Sequence, residues 1–250
     1  MSVLAVKGLS KAFGGVHAVA GVSFAVAAGE LLAMIGPNGA GKTTCFNMVN
    51  GQLAPDSGSI ELDGKSLLGK APRDICRAGV GRTFQVTATF GSMTVCENVQ
   101  LALLSHARML GSLLSSMKTN FLNETHELLE QVGMREQAER QCALLAYGDL
   151  KRVELAVALA SRPRLLLMDE PTAGMAPAER GALMKLAAGL ARDEKIAVLF
   201  TEHDMDVVFG HADRVIVLSG GKLIAEGSPA EVRANAEVRR VYLGGEVGDA

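Results

Sequence analysis

Residues 36–44 read GPNGAGKTT, and the rest of the chain is organised around what that stretch can hold. Gly36, Gly41, Lys42 and Thr43 occupy the defining positions of a phosphate-binding P-loop: Gly, four residues, then Gly, Lys and Ser or Thr. Glycines let main-chain N–H groups turn inward onto phosphate oxygens, and a helix starting near Lys42 aims its partial positive charge at the same anion. Lys42 is then placed for the β- and γ-phosphates, and the Thr43 hydroxyl for Mg2+. From average residue usage the pattern arises by chance on the order of once in a hundred chains of this length. The flanks argue against chance, because Leu31–Ile35 is an apolar run of strand length and residues 44–50 read as a helix closed by Gly51. The stretch predicts nucleotide binding.

With 250 residues, 48% of them hydrophobic, the chain can bury a large core. Apolar runs such as LLAMI and LLLM are far short of the ~18 residues of a membrane span. The N-terminus lacks a basic-then-apolar signal pattern, so a cytosolic location is expected. Cys45, Cys76, Cys96 and Cys142 are widely separated and form no CxxC or Cys/His cluster, which predicts reduced, mostly packed thiols. The formal charge of −2, from 25 basic and 27 acidic residues, gives no electrostatic reason to expect nucleic acid.

Upstream of residue 36, residues 3–6 and 18–26 read as strands, with Phe13 in the connection between them. An aromatic there either stacks on a base or packs under the sheet edge, and the bare sequence leaves both open. Downstream, Asp63-Gly64 marks a hairpin after residues 59–62, residues 73–78 read as a short helix, and residues 80–85 read as a strand ending on Gln85. Gln85 gains a role only if that strand runs beside the P-loop strand. Thr94 and Glu97 have capping-box spacing before a helix over residues 95–106, and a second helix is expected at about residues 119–132. Residues 145–160, LAYGDLKRVELAVALA, open another helix with Asp149 placed to cap it. The apolar run 165–168 delivers Asp169 and Glu170 at its end, and the run 196–200 delivers Thr201, Glu202 and His203. In open parallel sheets the C-terminal ends of strands carry the ligands, and an apolar strand ending in Asp is the Mg2+ half of P-loop chemistry. Residues 215–218 and 222–225 read as a hairpin, and Ser228-Pro229-Ala230-Glu231 opens a C-terminal helix. The alternation predicts an α/β fold with a mainly parallel sheet and a helical insertion.

Taken in order, GPNGAGKTT, TFQ, LAYGD, LLLMDE and TEHD make the chain resemble the ATP-binding subunits of ABC transporters over essentially its whole length. GVGRTFQ, FGSMTVCENV, EPTAGMAP, TEHDMD and AEGSPAEVRANAEVRRVYLGGE bring it nearest the larger ATPase subunit of branched-chain amino acid importers. Importers of amides, urea or aromatic acids share these marks. The resemblance implies a P-loop NTPase core with an antiparallel β subdomain (residues 1–86 and 146–227), an inserted helical lobe (87–145) and a C-terminal helical extension (228–250). It implies Phe13 stacking on adenine, and Gly36, Pro37, Asn38, Gly39, Ala40, Gly41, Lys42, Thr43 and Thr44 wrapping the phosphates of ATP. Thr43, Gln85 and, through water, Asp169 would hold Mg2+; Glu170 would deprotonate the attacking water and His203 would contact the γ-phosphate. Ala146, Tyr147 and Gly148 would cover the nucleotide of a second ABC ATPase subunit. Two membrane permease subunits would dock on the lobe and on the loop after Gln85, at the cytoplasmic side of the inner membrane, with a solute-binding protein acting indirectly.

Three positions depart from the family pattern. Ala146 stands for the signature Ser, Asp149 for Gln, and Ala176 for Asp or Asn. Other readings stay open at this point: an ABC ATPase acting on nucleic acid, a nucleotide-binding subunit that does not hydrolyse, and the ATPase of a lipid or lipopolysaccharide exporter.

Overall fold

The computed structural model describes residues 2–83, 89–107 and 121–243. Its centre is a sheet of order β10-β9-β3-β8-β7-β6, built from β3 (Leu31–Ile35), β6 (Val80–Thr83), β7 (Leu165–Asp169), β8 (Ala197–Thr201), β9 (Arg214–Ser219) and β10 (Lys222–Gly227). All of its pairs are parallel except the closing hairpin of β9 and β10. β3, β7, β8 and β9 read as continuous apolar runs because both faces of the sheet are covered. Alternate residues enter different cores. Leu31, Ala33 and Ile35 face one core with Val198, Phe200, Leu166 and Met168, while Leu32 and Met34 face the other with Leu199, Leu167 and Leu165.

The second core contains α1 (Lys42–Val49) and an antiparallel sheet of order β2-β1-β4-β5, made of β1 (Ser2–Phe13), β2 (Val16–Ala27), β4 (Ser57–Leu62) and β5 (Lys65–Ser66). The expected early strands are thus longer than their apolar runs. Phe13 is the last residue of β1, before a tight Gly14-Gly15 turn, and not part of an open connection. The first core contains α5 (Tyr147–Leu159), α6 (Pro177–Glu194), α3 (Val95–His106) and α4 (Leu122–Gln131). α3 starts with the expected capping box: Thr94 Oγ1 accepts the Glu97 N–H at 3.1 Å, and Glu97 accepts the Thr94 N–H at 2.8 Å. Cys45, Cys96 and Cys142 are buried, Cys76 is exposed, and all four are free thiols. No described helix is long and apolar enough to cross a membrane.

Candidate nucleotide-binding and hydrolysis site

At the end of β3 the chain turns through Gly36, Gly39 and Gly41, with φ of +154°, +78° and +103°, and enters α1 at Lys42. No side chain caps this helix. Its first internal hydrogen bond runs from the Cys45 N–H to the Gly41 carbonyl at 2.9 Å. The N–H groups of Lys42, Thr43 and Thr44 therefore have no helical acceptor and are open to an anion. A Cβ on Gly36 would collide with the carbonyl oxygen of Leu218 in β9, and one on Gly41 with that of Ala18 in β2, so the loop is pressed against two strands. Lys42 Nζ donates to the carbonyls of Gly36 at 2.6 Å and Pro37 at 3.1 Å. Burial pushes the Lys42 ammonium below the ordinary amine pKa, an effect only partly offset by the negative charges of Glu170 and Asp169. A polyphosphate arriving here meets a cation that water solvates poorly.

The second half of the site lies where β7 and β8 end side by side, with Asp169 paired to Thr201. Thr201 Oγ1 donates to Asp169 Oδ1 at 2.8 Å, and Arg82 Nη2, from β6, donates to Oδ2 at 3.2 Å. The same guanidinium reaches Asn47 Oδ1 in α1 and Gln52 Oε1, each at 3.0 Å, and so ties the P-loop helix to the acidic strand end. Glu170 has φ +48°, a left-handed backbone that few residues other than glycine adopt and that concentrates at functional sites. Its N–H donates to Thr201 O and Oγ1, each at 3.1 Å. Its Oε1 lies 2.9 Å from His203 Nε2.

Phe13, Asn38, Gly39, Ala40, Gly41, Lys42, Thr43, Thr44, Glu170 and His203 line one cleft, whereas Asp169, Thr201 and Arg82 are not among its lining residues. Gly36 and Pro37 sit behind it, as the acceptors of the Lys42 ammonium. Phe13 is 51% exposed, which excludes the reading of a ring packed under the sheet edge. Lys11 Nζ lies 5.7 Å from the ring centroid and 2.7 Å from Asp56, so the ring has a cationic neighbour held in place.

Ala146, Tyr147 and Gly148 do not line this cleft. They form the open N-terminus of α5, where Ala146 is the N-cap and supplies no side-chain acceptor. Asp149 is therefore not the cap. An N-cap needs extended backbone, found at Ala146 with φ −64° and ψ 153°, and Asp149 falls inside the first turn, where its charge complements the helix dipole. Gln85 lies outside the described residues. The condition attached to it is not met, since β6 pairs with β7 and is separated from β3 by two strands; β6 instead reaches the site through Arg82. Sequence reasoning missed Arg82 and, although it placed Thr201 and Glu202 at a strand end, gave neither a role. For Arg82 the available signal was a charge in the middle of a short strand.

An exposed hydroxyl at Thr43 and a carboxylate at Asp169 are hard oxygen donors that suit Mg2+. Among the described residues no group of three or more His, Cys, Asp or Glu could hold a metal. An ion here would have to draw most of its ligands from phosphate and water, as Mg2+ does in nucleotide sites.

Residues 19–173 match the family model described as ABC transporter. The chain belongs to the ABC transporter ATPase family. Residues 222–248 of this ABC ATPase match a second model, described as branched-chain amino acid ATP-binding cassette transporter. It is 40% identical over 251 residues to the high-affinity branched-chain amino acid transport ATP-binding protein LivG of Salmonella typhimurium, covering 97% of this chain and 98% of the relative. It is 39% identical over 259 residues to BraF of Pseudomonas aeruginosa, described in the same words, with the same shares covered. Among solved structures it is similar to the ADP conformation of MJ1267, an ATP-binding cassette of an ABC transporter, at TM-score 0.87 and 30% identity over 98% of this chain and 99% of that one. A nucleotide-free cassette from an ABC transporter matches over the full length of both chains at TM-score 0.85 and 28% identity. The ABC ATPase thus has the α/β cassette fold expected from its motifs, and ATP hydrolysis is its family's chemistry.

A base stacked on the exposed Phe13 ring would contribute about 1 kcal/mol. Phe13→Ala is expected to weaken ATP and ADP binding by the same factor, about fivefold, in equilibrium titrations. Unchanged affinity for both nucleotides would remove Phe13 from the site.

Proposed function

We propose that this ABC ATPase energises the import of branched-chain amino acids, binding ATP with Mg2+ and hydrolysing it in a sandwich with a second ATPase subunit. The observation that carries the chemistry is the Glu170–His203 pair at 2.9 Å in the same cleft as the P-loop. The solute class rests on the likeness to LivG and BraF, which extends over nearly the whole chain. In this reading the P-loop amides and Lys42 bind the phosphates, and Thr43 and, through water, Asp169 hold Mg2+; a ligand role for Gln85 rests on the family resemblance alone, since the strand before it does not adjoin the P-loop strand. Glu170 takes the proton of the attacking water and His203 contacts the γ-phosphate. Mg2+ supplies charge neutralisation of the β- and γ-phosphates. Supporting a membrane partner, a cleft between β6, α3, α5 and α2 (Pro72–Arg77) carries Arg73, Arg77 and His106. Two permease subunits would dock there and on the α3–α4 lobe, holding the chain at the cytoplasmic face of the membrane. The test is uptake of labelled leucine into cells or vesicles with the cognate membrane subunits, with and without this chain. Uptake that does not depend on it overturns the solute assignment.

The ATPase partner is read as a different chain. Ala146 gives no hydroxyl at the helix end that would face the partner's nucleotide, and Ala176, the N-cap of α6, gives no polar side chain either. A hydrogen bond to a charged group contributes ~1.5–3 kcal/mol, and a homodimer forgoes the Ser bond at both of its sites. Purified Glu170→Gln chain with Mg-ATP is expected to sediment as a monomer, and the parent chain alone to hydrolyse ATP slowly. A tight ATP-dependent homodimer, or full turnover by the lone chain, overturns the heteromer. Phosphate binding by the open N–H groups of α5 alone is the competing account of such a result.

A further inference from the structure

Beyond Asp169 and Thr201, the last residues of β7 and β8, the two chains part. One continues through Glu170 into the loop that ends at Ala176; the other continues through Glu202 and His203 to α7 (Met205–His211), which Asp204 caps. Glu202 stands between them. It is 3% exposed, an expensive place for a carboxylate unless its oxygens are satisfied. Its Oε1 accepts the Thr172 N–H at 2.8 Å and the Thr172 hydroxyl at 2.7 Å, and its Oε2 accepts the His203 N–H at 3.3 Å. Thr172 itself is 1% exposed and lies two residues after Glu170. One buried carboxylate therefore bonds both diverging loops, on the side chain of one and the backbone of each.

A second tie lies further out. Arg180 of α6 donates to the Met175 carbonyl at 2.8 Å and to Asp204 at 2.5 Å. Burial alone would raise the Asp204 pKa, but the Arg180 guanidinium and the N–H groups of Val207 and Asp206 outweigh it and hold the carboxyl below its ordinary range. This tie is partly exposed, at 31% for Arg180 and 29% for Asp204, and joins the loop ends. The Glu202 tie is dry, short and next to the reacting pair.

We infer that Glu202 is a positioning residue for ATP hydrolysis, clamping Thr172 to the His203 backbone so that Glu170 and His203 are held at hydrogen-bond distance. The inference rests on the reading of Glu170 and His203 as the hydrolytic pair. Preorganisation of this kind acts on the chemical step, where a misplacement near 1 Å costs on the order of 100-fold. It has little purchase on nucleotide affinity, because the P-loop belongs to another strand.

Three substitutions test it in the full chain assembled with its membrane subunits. Glu202→Gln keeps shape and leaves a carbonyl for Thr172, but turns an amide donor toward the His203 N–H. Thr172→Val deletes only the hydroxyl donor, and Thr172→Ser retains it. Glu202→Gln and Thr172→Val are expected to lower kcat on the order of 10- to 100-fold, with KM for ATP, nucleotide affinity and melting temperature close to the parent. Thr172→Ser should keep kcat within about threefold, and the double variant Glu202→Gln/Thr172→Val should lose less than the product of the single losses, as coupled groups do. Parent kcat in Glu202→Gln and Thr172→Val overturns the inference. So does a loss that follows melting temperature and KM, or an equal loss in Thr172→Ser. If Glu202→Gln does not fold, the Val and Ser pair at Thr172 decides alone. Glu170→Gln, run beside them, separates the two claims: turnover in that variant sinks the hydrolytic pair, whereas an inactive Glu170→Gln with fully active Glu202→Gln and Thr172→Val sinks only the clamp.

Discussion

Glu170→Gln is expected to stop steady-state ATP hydrolysis while leaving ATP bound. The carboxylate lines the nucleotide cleft, 2.9 Å from His203 Nε2, and its backbone is locked by two bonds to Thr201 in a left-handed conformation that Gln can occupy at the same cost. An amide of the same shape keeps the contact with His203 but cannot accept a proton from water. General-base assistance is worth ~10²- to 10⁴-fold, so the loss should be of that order. Nothing in the phosphate cradle moves. Removing a negative charge that acts on Lys42 also favours the bound polyphosphate, so ATP affinity should equal or exceed the parent value. Phosphate release by the assembled complex and equilibrium ATP binding are the two measurements. More than a few per cent of the parent rate would return Glu170 to a structural role.

Gly36→Ala and Gly41→Ala are expected to abolish nucleotide binding, and Gly39→Ala to weaken it much less. All three glycines have positive φ, and an alanine there costs on the order of 1–2 kcal/mol in backbone strain. Space separates them. Around Gly39 an added Cβ has no neighbour within 4 Å, so the strain is the whole penalty, about tenfold in affinity. At Gly36 and Gly41 the added carbon meets main-chain carbonyls of Leu218 and Ala18, which belong to hydrogen-bonded strands and cannot turn aside as a flexible side chain does. The P-loop must shift instead, taking its N–H groups off the phosphates. Losses beyond about 100-fold at Gly36 and Gly41 are expected in ATP titrations, with circular dichroism to verify folding. Gly39→Ala as damaging as Gly36→Ala would mean that strain alone governs the loop.

Much of this site was legible along the chain because phosphate is held by contiguous backbone. Residues 36–44 carry the turn, the lysine and the helix start within one loop, so residue type and spacing determine the cradle wherever the loop is placed. The strand ends at Asp169 and Thr201 were also readable, since a continuous apolar run followed by polar residues is a local signal. Thr94 and Ser228 cap their helices as their spacing requires.

Strand order was not readable. The P-loop strand lies between β8 and β9, and the strand leading toward Gln85 lies on the far side of β7, because pairing depends on which apolar faces cover each other across the whole domain. Tertiary structure alone therefore brings Arg82 to Asp169, 87 residues away, and Glu202 to Thr172, 30 away. No periodicity marks such pairs. A buried charge is tolerated only where distant donors converge on it, and that convergence exists only once the sheet has assembled. Phe13 makes the same point: the sequence placed it in a connection between strands, and only the assembled sheet puts it at the end of β1 with its ring facing solvent and the P-loop.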